Sequence, residues 1–83
     1  MKEQKSRKVY KGSPNTILLL RTIPVHPVAY TPEQIRERMN LNGNVMRMIY
    51  SLPASCLIYF HRGKYSYPSE EAKRITLEMY GLN

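Results

Sequence analysis

The chain has 83 residues, 42% of them hydrophobic, which suits one small domain and excludes two lobes with an active-site cleft between them. Lys and Arg number 13 against six acidic residues, and the net charge of +7 lies toward the upper end of what solubility needs and points to a polyanionic partner. One cysteine, Cys56, excludes an intramolecular disulfide, and with two histidines distant in sequence it makes a poor metal set.

Residues 1–12 hold Lys2, Lys5, Arg7, Lys8 and Lys11 against Glu3, a net of +4, with Met1 and Val9 as their apolar side chains. They read as a flexible basic arm that can touch phosphates, with Lys8 and Lys11 nearest the folded part, leaving residues 13–83 as the domain. The start lacks the apolar stretch of a secretory signal, and the run Ile17-Leu18-Leu19-Leu20 is far below the roughly 18 residues that span a bilayer. The expectation is a soluble cytoplasmic protein, nucleoid-associated if it binds DNA.

A first helix is predicted over 14–23, with Ser13 as N-cap, Pro14 in the first turn, and Ile17, Leu18, Leu19 and Leu20 turned inward. Pro24 and Pro27 stop it, and Val28-Ala29-Tyr30 reads as a short extended piece. Thr31 and Gln34 form a capping box for a second helix, with Pro32 at its start and Ile35 and Met39 on one face. Asn40-Leu41-Asn42-Gly43 breaks that helix. A third helix, about 43–52, carries Val45, Met48, Ile49 and Leu52 as a core stripe, and opposite them Asn44, Met46, Arg47, Tyr50 and Ser51.

The pattern then changes. Cys56-Leu57-Ile58-Tyr59-Phe60 and Tyr65-Ser66-Tyr67 read as two strands around the turn His61-Arg62-Gly63-Lys64. Ser69 caps a last helix with Ala72, Ile75, Thr76 and Met79 inward, closed by Gly81. The fold class is mainly α with a small β-hairpin, an α+β arrangement.

This order of elements over 13–80 resembles the winged helix-turn-helix domains of small bacterial, archaeal and viral transcriptional regulators. Thr31 to Leu41 is similar to the first helix of the unit, Val45 to Leu52 to the recognition helix, and Leu57 to Ala72 to the wing and the helix after it. The apolar stretch Leu52-Pro53-Ala54-Ser55-Cys56 and the short hairpin tip depart from that pattern. The resemblance implies a sequence-specific double-stranded DNA-binding protein, with the third helix in the major groove and the 61–64 tip on the backbone. Asn44 would then face adenine and Arg47 guanine, Tyr50 and Ser51 phosphates or base edges, and Arg62 and Lys64 the sugar–phosphate chain.

The main alternative is a docking or adaptor module of the same fold. Leu77, Tyr80 and Leu82 lie off the inward stripe of the last helix and are expected to form an exposed apolar patch for a homodimer or partner. A further alternative is an RNA or single-strand binder that stacks bases on Tyr30, Tyr59, Tyr65 and Tyr67. An enzyme is not expected, and neither is a cofactor. Cys56 and His61 are five residues apart on a strand and point to opposite faces, and His26 sits between residues without an acid nearby.

Overall fold

The computed structural model describes residues 10–40 and 43–82. Ser13 caps α1 (Pro14–Thr22) by accepting from the Thr16 N–H, and the same logic recurs down the chain. The Thr31–Gln34 capping box opens α2 (Pro32–Met39), Asn44 caps α3 (Val45–Tyr50), and Ser69 caps α4 (Glu70–Met79). Asn40 ends α2 in the left-handed conformation at φ 53°, as its short polar side chain allows.

Between α3 and α4 lies a two-stranded antiparallel hairpin, β1 (Tyr59–His61) and β2 (Lys64–Ser66), in register Tyr59↔Ser66, Phe60↔Tyr65, His61↔Lys64. Its loop is the two residues Arg62 and Gly63, at φ 53° and 77°. Two positive φ values in a two-residue loop match the twist of the flanking strands, and glycine adopts such a value without strain. Tyr30 extends the hairpin by exchanging both backbone hydrogen bonds with Tyr65, at 2.8 and 3.1 Å. The first strand begins later than expected, at Tyr59, because the residue in register with Ile58 turns its backbone bonds elsewhere. The next residue of the second strand, Tyr67, is bonded instead to the Pro24 carbonyl and the His26 N–H.

Two apolar clusters hold these parts together. One gathers Leu19, Ile23, Ile35, Met39, Val45, Tyr65, Tyr67 and Ala72. The other gathers Leu20, Cys56 and Tyr80, flanked by Tyr10, Leu52, Leu77 and Leu82. Leu19 and Leu20 therefore face one cluster each. Leu18, expected inward, points out, since adjacent helical residues are about 100° apart and two clusters already take its neighbours.

The second cluster changes two expectations. Tyr80 is buried, and Leu77 and Leu82 pack half-buried beside it, so the three are not the fully exposed patch expected from the sequence. Tyr10, expected within the arm, also docks here. Its N–H donates to the Met79 carbonyl, its hydroxyl meets Ser55 at 2.9 Å, and its ring stands edge-on to Tyr80 at 5.5 Å. Residues 10–12 thus belong with the folded unit. The rest of the expected arm, residues 1–9 with Lys8, lies outside the described residues.

α1 ends in a way that ties the fold together. Residue 24 is proline and has no N–H to give the Leu20 carbonyl, so the Tyr67 hydroxyl donates to it, at 2.6 Å. Lys73 Nζ donates to the carbonyls of Arg21 and Ile23, both at 3.1 Å.

Burial raises the Cys56 thiol and the Tyr67 and Tyr80 hydroxyls, the last to about 12 from an ordinary 10. The Cys56 thiol and the Tyr80 hydroxyl face each other at 3.9 Å. The folded state holds these protons more tightly than the unfolded chain does. Their contribution is complete below the ordinary thiol and phenol range and is lost as pH rises through it. Urea unfolding should therefore show a level stability at neutral pH and a fall between about pH 9 and 12, shallower in Tyr80→Phe. A stability that stays level to pH 12 would contradict these burials.

Candidate nucleic-acid interface

α3 is packed inward through Val45, with Met48, Ile49 and Leu52 half-buried beside the first cluster. Of the face expected to be free, Met46 is drawn down. The Tyr65 hydroxyl donates to its sulfur at 3.8 Å, which fixes the base of the hairpin against α3. Burial lifts the Tyr65 hydroxyl above its ordinary range, and the nearby Tyr50 hydroxyl adds to the effect. α3 and the hairpin therefore touch through this pair, and Arg62, Gly63 and Lys64 come just before Tyr65 in the chain.

The polar residues of α3 divide into two kinds. Asn44 Oδ1 accepts from the Arg47 N–H at 3.1 Å, and the Ser51 hydroxyl donates to the Met48 carbonyl at 2.7 Å. Both side chains serve the ends of their own helix, and a base or phosphate has to share them. Arg47 and Tyr50 are exposed with no such duty among the described hydrogen bonds, and so are Arg62 and Lys64 at the tip.

Other cations are engaged within the fold. Arg74 pairs with Glu71 at 2.9 Å and Glu78 at 2.7 Å, Arg38 lies 4.3 Å over the Tyr30 ring, and Lys73 holds the end of α1. Among the described residues the ion pairs are those of Arg74, and Arg47, Arg62, Lys64 and Lys11 enter none. Arg36 and Glu33 line a groove of about 370 Å³ with Gly43, Asn44, Val45 and Met46, beside the start of α3. Lys11 lies at a second groove, lined also by Tyr10, Gly12, Tyr80 and by Ser51 at the C-terminal end of α3.

The four-tyrosine stacking platform is not assembled. Tyr65 and Tyr67 are buried and Tyr30 lies under Arg38, which leaves Tyr59 exposed. Exposure falls instead on Tyr50 and Phe60, at 75% and 58%. Sequence pattern marks Phe60 as a strand residue and not as part of a surface; the available signal is an aromatic side chain one step from a basic turn. Among the described residues no three His, Cys or carboxylate side chains group as a metal site, and no helix is long and apolar enough to cross a membrane.

No protein-family model, curated protein or solved structure matches this chain.

Proposed function

We propose that the chain is a winged helix-turn-helix protein that binds double-stranded DNA as a transcriptional regulator in the cytoplasm, with α3 in the major groove and the Arg62–Lys64 tip on the backbone. The observation that carries this reading is the junction of Tyr65 with Met46. It joins α3, which carries exposed Arg47, to the hairpin, which carries exposed Arg62 and Lys64, in a chain of net charge +7. The order α1, Tyr30 bridge, α2, α3, hairpin, α4 is compatible with the winged-helix class and supports the same assignment.

In this reading Arg47 meets guanine and Tyr50 a base edge or phosphate, while Asn44 and Ser51 mainly hold the helix they cap. Six residues make α3 about 9 Å long. That reaches about three base pairs at 3.4 Å each, so sequence reading is confined to a short site and backbone contacts supply most of the affinity. Two copies on two half-sites would lengthen the site read.

The test is binding to random-sequence duplex at several salt concentrations. Affinity should fall steeply with salt, by a slope of about 0.9 per phosphate contacted. Removing residues 1–9, which carry Lys2, Lys5, Arg7 and Lys8, should reduce that slope by up to about 3.6 while the melting temperature holds. Absence of salt-dependent binding overturns the proposal in favour of a protein-docking module.

A further inference from the structure

Exposed aromatic rings stand on α3 and on the hairpin. Tyr50 stands on α3, and Phe60 and Tyr59 on β1, the last 50% exposed. Phe60 leans on Tyr65 with ring centroids 4.7 Å apart, and Tyr65 is itself anchored to Met46. A ring backed by a buried ring is a stiff projection. Tyr59 belongs to the opposite face of β1, where it stacks on His61 at 5.8 Å.

Phosphates have no use for such rings. Cations and N–H groups hold the backbone, while an exposed phenyl ring offers its faces to other π systems. In a duplex, base faces become available only when a step is unstacked. Phe60 lies two residues before Arg62 at the basic loop, whereas the carboxylates of the described residues lie on α2 and α4. The charge is complementary to nucleic acid and not to another basic chain.

Building on the duplex reading above, we propose that binding unstacks one base step of the DNA and that Phe60 fills the opening. Apolar side chains inserted between base pairs act in this way and kink the duplex. Steps of pyrimidine followed by purine open most readily, so the hairpin favours a flexible step at its own position on the site. Specificity then arises at a place where no side chain bonds a base edge.

The experiment uses the full chain and an alternating thymine–adenine duplex in which 2-aminopurine replaces some adenines, so that every register offers a flexible step. 2-Aminopurine brightens when it leaves the stack. Saturating protein should give a several-fold rise in fluorescence. Phe60→Thr keeps a strand-forming residue at an exposed position; it should bind roughly tenfold more weakly and give little rise. Tyr59→Thr serves as a second variant and should retain the rise. Binding by the parent without a rise, or an equal rise with Phe60→Thr, overturns the wedge while duplex binding stands. No binding to the duplex, or tighter binding to a single strand of the same composition, overturns the duplex reading and the wedge with it.

Discussion

Replacing Tyr67 by alanine should remove a large share of the stability of the chain. The side chain is fully buried in the first cluster, and its backbone joins the hairpin to the segment after α1. Emptying a site filled by a large aromatic costs about 3–5 kcal/mol. A chain of 83 residues has roughly 4–12 kcal/mol of stability in all. Tyr67→Phe separates packing from the hydroxyl. It keeps the ring but leaves the Leu20 carbonyl without a donor, because Pro24 cannot supply one, and should cost about 1–3 kcal/mol in a chain that still folds. Urea unfolding followed by circular dichroism measures both. If the phenylalanine variant matches the parent, the Tyr67 hydroxyl is not what completes the end of α1.

The second large effect separates the helix from the hairpin tip. Arg47→Ala puts the best helix former at an exposed position of α3, so the fold should be unharmed. If α3 reads bases, discrimination at one base pair should fall by about 1–3 kcal/mol, with a smaller loss on unrelated duplex. For the tip the suitable variant is Arg62→Asn with Lys64→Gln, since Arg62 sits at φ 53° and asparagine tolerates that conformation. This variant should weaken all duplexes about equally and lower the salt slope by about 0.9 for each phosphate that the tip no longer neutralises. Affinities of both variants for a selected site and for random duplex give the comparison. Four values equal to the parent's would leave neither element in contact with DNA.

The helices are legible in the sequence because their starts are written locally. Ser13, Thr31, Asn44 and Ser69 each place an oxygen within reach of the N–H three residues on, and proline follows at once in α1 and α2. The hairpin is legible from Arg62-Gly63 between aromatic runs, although β1 begins later than its composition suggests. What stays hidden depends on partners far apart in the chain. Tyr10 looks like part of a basic tail until Tyr80 and Ser55 come to meet it. Leu77, Tyr80 and Leu82 look unpartnered until Leu20 and Cys56 close on them. Lys73 counts as free positive charge in composition and is spent on two carbonyls some 50 residues earlier in the chain. In the site, helical period and turn chemistry suffice to put Arg47, Tyr50, Arg62 and Lys64 on the surface, where the structure has them. They do not suffice for Met46, since only Tyr65 in three dimensions draws it inward.

The most direct measurement is a titration of the isotope-labelled protein with short duplex DNA, followed by amide chemical shifts. Shifts should concentrate on α3 from Val45 to Ser51 and on the hairpin from Tyr59 to Lys64. The exposed face of α4, with Glu70, Glu71 and Glu78, should stay unmoved. Shifts centred on α4, or none on α3 and the hairpin at saturating duplex, would contradict the assignment of this face to DNA.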